Sequence, residues 1–175
     1  MIHFKTAEKK EAQFITNLVN SAYRGDYSRH GWTTEADLIE GQRTDLSSII
    51  KMIQTDGEQI EIAINHAGKV MGCVFIKRED HRTLYFGMLT VEPTLQGSGL
   101  GKKLLHHIES IARQEKRDRI RLTVIPERLE LIDFYQRRGF QATGNLEDFP
   151  YDDPSNGRPK VKDLKLKEYI KTLDF

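Results

Sequence analysis

Three glycines spaced by two, Gly97, Gly99 and Gly101, alternate with Ser98 and Leu100 and constrain this chain more than any other feature. Upstream, Leu84 to Val91 is rich in apolar, aromatic and β-branched residues, the composition of a buried strand. Pro93 cannot donate to a ladder, so pairing should end near it. Downstream, Leu100, Leu104, Leu105, Ile108, Ile111 and Ala112 recur at helical spacing. The glycines therefore join a strand to a helix. Glycine permits positive φ and lets a ligand approach main-chain N–H groups with no Cβ in the way. The first amides of a helix lack internal partners and carry the positive end of its dipole. Such a loop is an anion cradle suited to phosphate or pyrophosphate, and Lys102 and Lys103 add charge to it. The plainer alternative is a turn that merely connects the two elements.

Spacing separates the phosphate loops. A Walker A loop would need glycine at Gln96 and Ser or Thr at Lys103, and a dinucleotide fingerprint begun at Gly97 would end on Lys102. Both fail. Gln96-x-x-Gly99-x-Gly101 after Val91-Glu92-Pro93 resembles the acetyl-CoA loop of the GNAT superfamily of N-acyltransferases, which is Gln/Arg-x-x-Gly-x-Gly/Ala after a Val-x-Pro strand end.

Taken in order, Ile2 to Lys5 reads as a first strand, and Thr6 caps a helix with Ala12, Ile15, Leu18, Val19 and Ala22 on one face. Arg24 to Thr33 reads as a loop, after which Thr33 or Thr34 caps a short helix through Ala36, Leu38 and Ile39. Asp45 starts a further helix bearing Leu46, Ile49, Ile50 and Ile53. Ile60, Ile62 and Ile64 then alternate, Asn65 to Gly68 turns, and Val70 to Ile76 returns. Ile120 to Val124 is a strand after the glycine-loop helix, and Leu129 to Arg138 is the last helix, closed by Gly139. Phe140 to Thr143 and Val161 to Leu166 are candidate final strands, with a proline-rich linker, Asn145 to Pro159, as a substrate-side loop or flap. This order predicts one α+β domain over residues 1–175, with a mixed, mostly antiparallel sheet of about six to seven strands and about four to five helices.

A second segment, Phe134-Tyr135-x-x-x-Gly139-Phe140, resembles the superfamily's Leu-Tyr-x-x-x-Gly-Phe helix end. The resemblance implies direct transfer of acetyl from acetyl-CoA, through a tetrahedral intermediate, to an amine of a small molecule or protein. It implies that Gln96, Gly97, Ser98, Gly99, Leu100, Gly101 and Lys102 hold the CoA pyrophosphate. Leu89, Thr90 and Val91 would pair with the pantetheine arm like an added strand, and Gly87 would mark a bulge beside it. Tyr135 is implied as general acid: a phenol of pKa ~10 protonates an alkyl thiolate of pKa roughly 8.5 with little free-energy change. Its alternative is an aromatic that packs the helix on the sheet.

Arg128 stands where the superfamily often has Asn, and is expected at the CoA phosphates or pantetheine or as a solvated helix-start arginine; Leu131 replaces a small residue. Tyr23, Arg24, Trp32, Glu35 and Arg43 fall in the region that in the superfamily walls the acceptor site. No carboxylate or histidine lies on the strand before the loop, so Glu35, Asp37, Glu147 and Tyr85 are the weak candidates for general base. The missing base gives weight to another class of function, a non-catalytic acyl-CoA-binding sensor.

Charge closes off further classes. Twenty-seven basic against twenty-six acidic residues give +1, no electrostatic case for nucleic acid or an anionic membrane. No apolar run approaches the ~20 residues of a membrane span, and Met1 to Lys5 opens no signal sequence. The single Cys73 forms no internal disulfide, so a reducing cytoplasm is expected. His106 and His107 are adjacent on the helix and face apart, so no metal is expected. A homodimer is one arrangement the chain allows.

Overall fold

The computed structural model describes residues 1–175. Seven strands form one sheet: β1 (His3–Thr6), β3 (Glu58–Ile64), β4 (Val70–Arg78), β5 (Thr83–Val91), β6 (Arg119–Val124), β9 (Lys165–Thr172) and β7 (Gln141–Asp148), in that order across it. Every pairing is antiparallel except β5 with β6, which the helical crossover α3 (Leu100–Gln114) makes parallel. A second, two-stranded sheet pairs β2 (Ile39–Glu40) with β8 (Arg158–Pro159). The remaining helices are α1 (Ala12–Tyr23), α2 (Leu46–Gln54) and α4 (Leu129–Gln136). Seven strands in the main sheet and four α-helices match the expected α+β architecture.

The two faces of the sheet are filled separately, as the alternation of a strand requires. Leu104, Leu105, Ile108 and Ala112 of α3 pack with Val74, Ile76, Leu84, Phe86 and Ile120 on one face, joined there by Tyr135 and Phe140. Ile15 and Val19 of α1 and Ile49 of α2 pack with Ile60, Ile62, Cys73 and Met88 on the other. Met88 breaks parity. Leu84 and Phe86 face α3, yet Met88, two residues on, faces α1, because its φ of 54° reverses the strand locally.

Local signals failed where tertiary partners took the residues they relied on. Thr6 donates its hydroxyl to Glu61 at 2.5 Å, and the first helical turn is closed instead by a capping box between Glu8 and Glu11. No helix forms at Thr33 to Ile39: Thr34 bonds to Ser28 and to the amide of Ala36, and Ile39 enters β2. Asp45 does cap α2, accepting from the Ser48 amide at 2.7 Å. The last strands run longer and later than expected, because β7 is exposed along its length and shows no apolar period.

Glu61 fastens α3 to the sheet. Its buried carboxylate accepts from Thr6, from Gln59 at 2.6 Å and from His107 Nε2 of α3 at 2.7 Å, while Phe4 stacks on the His107 ring at 4.5 Å. Burial opposes ionisation, but the bonds from His107, Thr6 and Gln59 outweigh it and hold the carboxyl below its ordinary range. A depressed carboxyl contributes stability above its unfolded pKa of about 4.3 and loses it as pH falls through the folded value. Glu61→Ala should therefore cost about 1–3 kcal/mol at neutral pH, by leaving buried donors unpaired. Urea midpoints measured from pH 7 downward should show the gap to wild type shrinking below about pH 4; a gap that stays constant would remove the ionised carboxylate from the account.

Candidate active site

Two adjoining openings are made by one irregularity of the sheet. β5 and β6 pair only at Thr83 with Arg119, Leu84 with Ile120 and Tyr85 with Arg121; beyond Tyr85 they diverge. On its other side β5 carries a bulge. Cys73 faces Thr90 and Phe75 faces Gly87, which sets Met88 and Leu89 opposite the single residue Val74. The extra residue is thus at Met88 and not at Gly87, where it was expected. Gly87 lacks a side chain for another reason: a Cβ there would come 2.8 Å from the Tyr85 hydroxyl, which lies across it.

The first opening is a groove of about 290 Å³ along the glycine loop. Gly97 and Gly99 have φ of 84° and 89°, and a Cβ at either would meet nothing within 4 Å, so backbone conformation and not crowding demands glycine in the free chain. The backbone amides of Gly97, Gly99, Leu100, Gly101 and Lys102 find no acceptor in the protein, whereas those of Ser98 and Lys103 do. Unpaired amides at a helix N-terminus are the donors that an anion cradle would use. Leu100 and Thr90 turn their side chains into the core, so they offer only backbone, while Ser98 and Lys102 are exposed. Gln96 Nε2 reaches the Val91 carbonyl at 3.4 Å, and its Oε1 is buried without a partner. Trp32, Phe134 and Arg138 complete the groove, with Trp32 and Phe134 ring centroids 5.9 Å apart and the Arg138 guanidinium 3.7 Å over Phe134.

The second opening, a cavity of about 220 Å³, lies in the fork between β5 and β6. Tyr23, Arg24, Glu35, Arg43, Arg128 and Tyr135 all line it. Glu35 is buried between two arginines, accepting from Arg24 Nε and from Arg128 Nη1, each at 3.0 Å. Arg24 also donates to the carbonyls of Gln42 and Asn156, and Arg128 to Thr33 Oγ1 at 2.7 Å. The guanidiniums of Arg43 and Arg128 lie 5.3 and 5.6 Å from the Tyr23 ring centroid. Tyr23 donates its hydroxyl to the Leu89 carbonyl at 2.8 Å, and burial pushes its phenol up to about 12.

Tyr135 packs its ring against Phe86, Phe140 and Phe134 and is 4% exposed. Burial, with Tyr23 nearby, holds its phenol far above the ordinary range, so the hydroxyl keeps its proton throughout physiological pH. That departs from the near-thermoneutral proton transfer expected of an unperturbed phenol.

Two residues exchange sides relative to expectation. Trp32 lines the glycine-loop groove and not the cavity of Tyr23, Arg24 and Glu35. Arg128, expected at the cofactor or in solvent, is 6% exposed and turned to Glu35 and Thr33 in that cavity. Glu35 has both oxygens engaged by arginines, and Asp37 and Glu147 are paired with Arg29 and Arg121. Phe149, Pro150 and Asn156 of the proline-rich segment cover the cavity and carried no sequence signal beyond the length of that segment. A small core of Ile39, Ile125, Phe149 and Leu164 fixes the segment in place. No group of three or more His, Cys, Asp or Glu side chains converges on a metal-sized site, and no helix is long and apolar enough to cross a membrane.

Comparison with known proteins finds a family and a shared fold. The Acetyltransferase (GNAT) family matches residues 12–140. The uncharacterized protein YdhI of Bacillus subtilis is 26% identical over 117 residues, 66% of this chain and 64% of that one. The spermine/spermidine N(1)-acetyltransferase of Bacillus subtilis is 40% identical over 58 residues, 33% of this chain and 38% of that one. The chain therefore spans less than two thirds of the length of either relative. The structure of yncA from Salmonella typhimurium with its cofactor acetyl-CoA superposes with a TM-score of 0.70 at 20% identity, covering 100% of this chain and 95% of that one.

Proposed function

The chain belongs to the acetyltransferase (GNAT) family, and from that premise we propose that it moves the acetyl group of acetyl-CoA to the nitrogen of an amine. One observation carries the reading: a cradle of unpaired amides, at Gly97 and from Gly99 to Lys102, opens beside a fork in the sheet that holds a buried, protonated Tyr135. Acetyl-CoA supplies an activated acyl group as a thioester. The cradle amides would hold its pyrophosphate, with Lys102 beside them, and the diverging edge Leu89 to Val91 would take its arm as an added strand. Trp32 and Phe134 then flank the cofactor and not the acceptor.

In the cavity a neutral amine attacks the acyl carbon; the C–N bond forms, the C–S bond breaks, and sulfur keeps the bonding pair. Tyr135 gives that sulfur its proton and regains one as the attacking nitrogen loses its surplus proton, so amine and thioester become amide and thiol. Transfer is direct. The chain's single cysteine, Cys73, is buried in the opposite core cluster and lines neither opening.

Calorimetry with acetyl-CoA, with CoA as competitor, tests the cofactor half, and thiol release across a panel of amines tests the transfer. Binding at sub-millimolar concentrations with amine-dependent thiol release is the expected result. No binding would overturn the reading, and binding with no release for any amine would favour a sensor of acyl-CoA.

A further inference from the structure

The cavity that would receive the amine is unevenly charged. Glu35 is its only carboxylate, against Arg24, Arg43 and Arg128, and no histidine lines it. Glu35 balances one of its two bonded arginines and Glu130 lies 4.0 Å from Arg128 Nε, so the lining keeps an excess of about one to two positive charges. Arg24 is spent on structure, with Glu35 and two carbonyls as its acceptors. Arg128 is spent as well: it is 6% exposed, bonded to Glu35 and Thr33, and its buried Nε lies 4.0 Å from Glu130 Oε1. Arg43 is unspent. Its side chain has no ion pair and no hydrogen bond, yet its backbone is held, since the amides of Arg43 and Thr44 both donate to Asn20 Oδ1.

A held arginine with an idle fork, in a cavity lined by three arginines and one carboxylate, is a receptor for an oxyanion. We infer that the acceptor amine carries a carboxylate, phosphonate or similar anionic group, and that Arg43 binds that group. The inference rests on the transferase reading and narrows it. The cavity, about 220 Å³, has room for a group on the scale of one amino acid. A polyamine would bring positive charge into a positive cavity.

The same excess charge bears on the missing base. Unbalanced guanidiniums disfavour an ammonium beside them. The amine enters neutral, having left its proton in solvent, and the protein needs no carboxylate to remove it.

Matched probes test this: phenylalanine against phenethylamine, an aminoalkylphosphonate against the corresponding alkylamine, and spermidine. Thiol release gives kcat/KM for each, and calorimetry on the CoA-saturated protein gives binding whether or not turnover occurs. The anionic member of each pair should be favoured by at least about 30-fold, the lower end of what a buried charge pair loses when one partner is removed. Arg43→Gln should erase that preference while leaving acetyl-CoA affinity unchanged, and Arg43→Lys should restore part of it. Turnover of spermidine or phenethylamine in preference to the acids would overturn the inference and leave the transferase reading standing. Binding of the acids with no turnover would do the reverse. Absence of both binding and turnover for the anionic probes, in a protein that still binds acetyl-CoA, also overturns the inference.

Discussion

Replacing Gly99 by Asp should abolish acetyl-CoA binding while leaving the chain folded. A Cβ at Gly99 meets nothing within 4 Å, so the folded cost is that of a side chain at φ 89°, about 1–2 kcal/mol. The cost to binding is larger. A carboxylate about 4 Å from a phosphate repels it by about 1–4 kcal/mol, depending on the local dielectric. It also competes for the unpaired amides that follow it, since an anion at a helix N-terminus is what they attract. Together these predict a loss of affinity of at least about 10²-fold by calorimetry. Gly99→Asn, which adds a similar bulk and tolerates left-handed φ but carries no charge, should lose much less. Wild-type affinity in the Asp variant would place the phosphates elsewhere.

Tyr135→Phe is expected to cut kcat by about 10²- to 10⁴-fold, the usual share of one general acid, with acetyl-CoA affinity and melting temperature nearly unchanged. The ring contacts to Phe86, Phe140 and Phe134 survive the change, and only the hydroxyl is lost. The loss should shrink for acyl donors with a more acidic thiol, which need less help in leaving. The wild-type pH profile carries a second signature. Because burial raises the Tyr135 phenol, its protonated, active form persists as pH rises. Activity should climb as the acceptor amine deprotonates and show no descending limb up to about pH 10, where an unperturbed tyrosine would begin to lose its proton. Equal turnover by the Phe variant, with chemistry limiting the rate, would assign Tyr135 to packing alone.

The parts of the molecule read correctly from sequence are those whose causes are local. The glycine loop, the Asp45 cap and the Gly139 helix end each depend on residues a few positions apart, and each lies where expected. The cavity charges depend on partners far apart in the chain. Arg128 finds Glu35 across 93 positions, so no spacing rule distinguished it from a cofactor contact or a solvated arginine. Trp32 was grouped with its neighbours Arg24 and Glu35, but its ring lies against Phe134 in the other opening. β7 was seen only at its first residues, because an exposed edge strand buries nothing and has no hydrophobic period to read.

The arginine–glutamate cluster also fixes when the cavity can exist during synthesis. Arg24 and Glu35 leave the ribosome eleven positions apart and can meet early. The second arginine on Glu35 arrives 93 positions later than its partner, and the Asn156 carbonyl that anchors Arg24 arrives 132 positions after it. A Cβ on Gly157, next to that carbonyl, would come within 2.4 Å of Arg24 Nη1, so the covering segment docks tightly. Closing loops of such length costs entropy before the contacts that reward it are made. The cavity is therefore complete only when the final fifth of the polypeptide has folded back over the first.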